Sequence, residues 1–277
     1  MEFSSSDNIT LRGTFIAHRS AYRKGTVLFC HELNGNRSNI SPYTNQLVHS
    51  GFDVLTFDFR NHGRSDTSAK SQRSTPWLTT DDMQDVRSAI DYLVGRMPSD
   101  ATGGIGVFGL GKGATVALCA AGCDDRIRSI VLDSPIPDRL LFQKNCWDVL
   151  VKSTRLSRLR MTKFVTLIGK AVLYSITCPF VTLFCTWQRY LLGYWYGCRF
   201  IDLRQYVKNV RQPIMIIHGA VDTMTRADQI QTFCDKMPVR PQLWMVPAAS
   251  RQDAENSGVI SENCSRQVAS FLTRCMG

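Results

Sequence analysis

The 277 residues, 44% hydrophobic and 20% charged with ordinary glycine and proline counts, suit one globular α/β domain carrying an insertion and exclude a disordered or fibrous chain. Ten cysteines without a CxxC pair, in a chain of this size whose polar start lacks the basic end and apolar run of an export signal, are expected to be reduced, mostly buried thiols in an intracellular, cytoplasmic protein. The formal charge of +10 is concentrated: from Arg139 to Phe200 there are ten basic residues against the single acid Asp148, a net +9.

Short β-branched or aromatic runs at Thr26 to Cys30, Val54 to Phe57, Gly104 to Phe108 and Ile127 to Leu132 predict buried strands. Helical patterns at Tyr43 to Ser50, Asp81 to Arg96 and Lys112 to Gly122 separate them, which predicts βαβ units and a mostly parallel sheet. Asp81, Asp82 and Asp85 suit the positive end of the second helix, with Thr79 or Thr80 as its cap. The alternation stops near Asp138 and resumes at Pro213, with strands at Ile214 to Ile217 and Leu243 to Val246 and helices at Arg226 to Met237 and Ser261 to Cys275. Residues 1–138 and 206–277 therefore read as one core, and 139–205 as a basic and apolar helical insertion between two strands of the same sheet.

Four motifs fall at strand ends in a telling order. Gly109-Leu110-Gly111-Lys112-Gly113 lies between a strand and a helix, and Cys30-His31-Glu32-Leu33-Asn34-Gly35 follows an early strand. Phe57-Asp58-Phe59-Arg60-Asn61-His62-Gly63-Arg64-Ser65 follows the next, and His218-Gly219-Ala220-Val221-Asp222 a late one. Together they resemble the α/β-hydrolase superfamily, closest to its serine-aminopeptidase and esterase-lipase branch, and the resemblance covers the chain outside the insertion. It implies an α/β-hydrolase fold with a helical cap, a nucleophile elbow of G-x-S-x-G type, and part of an oxyanion hole at His31, Glu32 and Leu33.

The catalytic residues do not carry over. The serine position is Gly111, and the loop Pro247 to Asp253 sets Arg251 where the resemblance implies the histidine; an arginine stays protonated and cannot act as that base. All five histidines, His18, His31, His49, His62 and His218, precede Asp222, whereas the fold's chain order is nucleophile, acid, histidine. Asp222 at the acid's position is then a vestige, expected to pair with Arg251. The expected function is that of a non-catalytic ligand-binding or regulatory relative. The alternatives are an active ester or peptide hydrolase with an unconventional nucleophile such as Ser134, and a docking module acting through its basic cap.

Gly104-x-Gly106-x-x-Gly109 also fits a dinucleotide spacing, but the hydrolase motifs account for the same glycines, and no cofactor or metal is expected. Lys112, Arg251 and the helix N-terminus at the elbow favour an anion, so the expected partner is an apolar or acyl-carboxylate small molecule. Residues 152–200 are uncharged from Ala171 to Gln188 and rich in Trp and Tyr near their end, which admits a peripheral contact with an anionic membrane. Pro179 and the mid-sheet position argue against a span. The cations interleave with aliphatic residues, which argues against a nucleic-acid surface.

Overall fold

The computed structural model describes residues 1–68, 75, 77–96, 103–135, 187, 190, 191, 193–195, 197, 199–220, 222, 225–246 and 259–277. The chain divides into Met1–Ile136 with Cys198–Gly277 as one unit and Pro137–Gly197 as the other. Most of the expected insertion lies outside the described residues.

The first unit is built on an eight-stranded sheet in the order β1-β2-β4-β3-β5-β6-β7-β8. These strands are β1 Glu2–Ser4, β2 Thr10–Ile16, β3 Gly25–Cys30, β4 Phe52–Asp58, β5 Ile105–Leu110, β6 Ile127–Asp133, β7 Ile214–Gly219 and β8 Gln242–Val246. From β4 to β8 neighbouring strands run parallel, and β2 runs antiparallel to both its neighbours, β1 and β4. β3, β4 and β5 are buried along their whole length. Their near-continuous apolar runs have that cause: a parallel sheet covered on both faces has no solvent side on which to alternate.

Helices α1 Ser41–His49 and α6 Val259–Met276 cover one face, where Leu47, Val48, Val268 and Leu272 meet Val27, Phe29 and Phe108. On the other face lie α2 Thr80–Arg96 and α3 Lys112–Ala121, whose Val86, Ile90, Val116 and Leu118 meet Leu28, Leu55 and Val107. Each fully buried large side chain of this kind contributes roughly 1.5 to 3 kcal/mol. The short α4 Leu203–Val207 starts at Asp202, whose side chain accepts from the Arg204 N–H, and α5 Ala227–Asp235 precedes β8. The chain moves from β3 outward to β4, then returns past β3 to β5. The carboxyl ends of β3 and β5 therefore flank a point where the winding reverses, the place where open α/β sheets form a crevice.

The six strands and five helices read from the sequence are present, with ends shifted by one or two residues at most sites. The N-terminal hairpin β1–β2 is not among them, because β1 has only three residues and β2, with Arg12 and Gly13 in its middle, lacks a clean apolar period. Gly13 is needed there by contact, since a Cβ would stand 2.9 Å from the Thr56 carbonyl oxygen on β4. The hairpin is fixed by a buried charge network. Arg60, at the end of β4, donates from its backbone N–H, Nε and Nη2 to Asp85 of α2 at 2.9, 2.9 and 2.6 Å, and from Nη1 to Asp7 of the hairpin turn at 2.7 Å.

Burial pushes the Asp85 carboxyl up to about 7, while the hydrogen bonds and charge of Arg60 pull it down. Replacing Arg60 by Met should therefore cost about 3 to 5 kcal/mol, because Asp85 would keep its burial and lose its partner. A carboxyl raised in the folded state binds more protons folded than unfolded, so this variant should lose stability as pH rises. Urea melts at mildly acidic and mildly basic pH test this, the expected outcome being a deficit that grows toward basic pH; adding Asp85→Leu should recover part of it.

Candidate ligand site at the strand ends

β5 ends at Leu110, α3 begins at Lys112, and between them Gly111 takes φ 51° and ψ −114°, a conformation that a residue with a side chain adopts only under strain. Its N–H donates to the Asp133 carbonyl at 2.9 Å, tying the turn to β6. The outer glycines are required by space. A Cβ on Gly109 would lie 2.4 Å from Ala114 Cα, and one on Gly113 2.3 Å from the Cys30 carbonyl oxygen. The turn is thus a hydrolase-type elbow in form, wedged against the end of β3, with no side chain at its apex.

His31 follows β3 and is buried. Its Nε2 accepts from the Phe59 N–H at 3.1 Å, which leaves the proton on Nδ1 to donate to the Glu32 carbonyl at 2.7 Å. Burial lowers its pKa to about 4, so the ring is neutral at physiological pH. Next to it at 4.9 Å between centroids, the His62 ring bonds the Leu33 carbonyl through Nε2 at 2.7 Å and the Arg60 carbonyl through Nδ1 at 2.9 Å. The two imidazoles thus hold the backbone of Glu32 and Leu33 in place beside the elbow.

The other three rings are engaged elsewhere. His18 meets Asp53, His49 bonds the Asn45 carbonyl within α1, and His218 donates from Nε2 to the Thr225 carbonyl at 2.8 Å. The Asp58 to Ser65 stretch is likewise spent on the framework. Asp58, fully buried, accepts from the N–H groups of Arg37 and Arg64 and pairs with the Arg37 guanidinium.

Lys112 was expected to lend its charge to a ligand at the elbow. Instead its ammonium is buried and lies 2.8 Å from Asp82 of α2, which also takes the N–H and hydroxyl of Thr79. Asp82, read from the sequence as a helix-end charge, is thereby the partner that consumes the lysine. What the elbow retains toward an anion is the backbone: the first turn of α3 has N–H groups with no intrahelical acceptor, at the positive end of the helix dipole.

Asp222, after β7, accepts from the Thr225 N–H at 3.1 Å. Arg251, and with it the expected pair with Asp222, lies outside the described residues. Beside the elbow, the end of β6 carries a small buried cluster that the motifs gave no sign of. Asp133 accepts from the Ser134 hydroxyl at 3.0 Å and from the Tyr43 hydroxyl at 3.1 Å, and Tyr43 reaches Cys264 Sγ at 3.7 Å. Ser134 itself sits at φ 50°. Its hydroxyl meets a carboxylate and no imidazole. Burial pushes the Cys264 thiol up to about 12, so this sulfur is not a thiolate nucleophile.

A family model described as alpha/beta hydrolase fold matches residues 25–154. The chain is 31% identical over 140 residues to the Escherichia coli O157:H7 protein YfhR, a match covering 48% of this chain and 46% of YfhR. It is 30% identical over 142 residues to the polyketide transferase claH of Penicillium crustosum, covering 49% and 44% of the two. The chain thus spans less than half the length of the curated relatives it matches. Among solved structures, the Pyrococcus furiosus esterase Pf2001 has the same fold, with a TM-score of 0.68 and 24% identity over 100% of this chain and 90% of that one.

The buried neutral His31 predicts an acid limb in the stability curve. Its folded pKa of about 4 lies below the ordinary value of 6.5, so the unfolded chain binds the extra proton between these values. Stability is then lost as pH falls from 6.5 toward 4. Chemical denaturation of the wild type and of His31→Asn across this range should show a flatter acid limb in the variant, whatever its stability at neutral pH.

Proposed function

We propose that this chain, residues 25–154 of which match an alpha/beta hydrolase fold model and whose elbow has a glycine at its apex, binds a molecule bearing a carboxylate or acyl carbonyl at the strand ends without hydrolysing it. One observation carries the reading: Gly111 preserves the strained elbow while presenting no atom that can attack. Serine hydrolysis needs an attacking oxygen, an imidazole to take and return its proton, and a carboxylate to orient the imidazole. The oxygen is missing, and every imidazole in the chain is committed to a framework partner.

Support for the ligand class comes from the elbow backbone. Free N–H groups at a helix N-terminus, next to the fixed Glu32 and Leu33 backbone, suit a partial or full negative charge on oxygen. The names of similar proteins, an esterase and a polyketide transferase, point to carbonyl-bearing molecules as well. The Lys112 ammonium has no part in this reading, since Asp82 neutralises it.

Purified protein should release no p-nitrophenol from short or long acyl esters above buffer, and Gly111→Ser should not restore turnover, because a hydroxyl without a base is a weak nucleophile at neutral pH. Turnover in the wild type that disappears in Ser134→Ala would replace this reading with that of an active enzyme using the β6 end.

The ligand class has its own check. Calorimetric titration should show decanoate binding and decanol binding about tenfold or more weakly, the size of effect expected from one charge-assisted contact of about 1.5 kcal/mol. Equal affinity for the two would remove the elbow backbone from the binding account.

A further inference from the structure

One face of α2, from Thr80 through Met83, Gln84 and Arg87 to Asp91, forms a wall of an open cavity of about 850 Å³. Opposite it stand Ala120 and Cys123 at the end of α3, the loop Asp124 to Arg126, and Tyr206 of α4. These residues all belong to the first unit, and Ala120 and Cys123 lie at the end of α3 remote from Lys112. The cavity is therefore separate from the elbow, and its volume is in the range of small-molecule sites.

Polar groups at its two ends satisfy one another. Toward the hairpin, Gln84 donates to the Ser6 hydroxyl. At the other end Arg126 donates from Nη1 to Asp91 of α2 at 2.7 Å, and from Nε and Nη2 to Asp124 at 2.8 and 2.6 Å, which ties the loop to the helix. From Gln84 to Asp91 the rise of α2 leaves about 10 Å between these two struts. In contrast, the side chains of Arg87 and Asp125 and the Tyr206 hydroxyl make no hydrogen bond or ion pair among the described residues, although all three line the cavity. Arg87 is near the loop. The hydrogen bonds of Arg126 hold the Asp124 carboxyl below its usual range, and the Arg87 charge adds to them. Asp125 is the next residue, so a cation and an acid stand on one cavity at short range without meeting. Met83, Ile90 and Ala120 supply apolar surface between them, backed by the core cluster on this face of the sheet.

We propose that this cavity binds a free amino acid with an apolar side chain, its carboxylate on Arg87 and the Tyr206 hydroxyl, its ammonium on Asp125 and its side chain against Met83 and Ala120. An anion alone would face Asp125, and a cation alone would face Arg87. A molecule carrying both charges meets each with a charge-assisted hydrogen bond. The site does not depend on whether the elbow takes a ligand.

Calorimetric titration of the full chain should show phenylalanine binding, with 3-phenylpropionate and 2-phenylethylamine, which each lack one charge, binding about tenfold or more weakly. Arg87→Gln should remove the preference over 2-phenylethylamine, and Asp125→Asn the preference over 3-phenylpropionate. Both side chains are exposed, so both variants should keep the circular-dichroism spectrum of the wild type. No binding of phenylalanine would overturn the site, and equal affinity for phenylalanine and either analogue would overturn the zwitterion. Phenylalanine binding that Arg87→Gln leaves unchanged would assign that binding to the elbow and overturn the cavity.

Discussion

The close approach of the first turn of α3 to the end of β3 governs the arrangement at the strand ends. Gly113 lies so near the Cys30 and His31 carbonyls that a single added carbon would collide with both, at 2.3 and 2.4 Å. This contact fixes the angle at which α3 leaves β5 and sets the first turn of α3 against the Cys30 and His31 carbonyls. The strain at Gly111 follows from the same constraint, since the chain must turn from a buried strand into a helix within one residue. A glycine at the apex relieves the strain that a serine would bear. A glycine at the apex is thus compatible with a stable elbow and lowers its backbone cost.

Charge is handled differently at the two sides of this edge. Arg60, Asp58, Asp82 and Lys112 are all buried, and each is paired. Such pairs add little net stability against apolar replacements, but removing one member leaves a charge without a partner. Their effect is positional. Arg60 joins the N-terminal hairpin to α2, and Asp82 joins the start of α2 to the start of α3. Neutral His31 and its neighbour His62 finish the work by bonding the carbonyls that follow β3. Arg60, Asp58, His31 and His62, which lie in the motifs that resemble a hydrolase's, therefore build a scaffold around the strand ends.

The consequence is a division between shape and chemistry. The reversal of winding between β3 and β5, the elbow and the helix N-terminus together give this edge the crevice form of open α/β sheets. The apex of that elbow is Gly111, which has no side-chain oxygen. The proposed binding of a carboxylate or acyl carbonyl uses the backbone of this edge.

Much of this was legible in the sequence. Apolar runs of strand length separated by helical periods fixed the α/β class, because a doubly covered parallel sheet leaves no other pattern, and four motifs in order located the strand ends. Gly111 and the position of all five histidines before Asp222 needed only the order of residues along the chain. Partners across space were a different matter. The sequence offered Lys112 as a ligand for an anion, and the tertiary structure gave it to Asp82, thirty positions away on another helix. It likewise hid the β1–β2 hairpin, whose edge strands lack a period and whose anchor is Arg60 at the far end of β4. The Asp133, Ser134, Tyr43 and Cys264 cluster joins residues up to 221 positions apart, a distance no spacing rule spans. Local order determines which elements form, but the identity of a charge's partner is decided by which side chains meet when the helices close over the sheet, and that depends on packing at both faces at once.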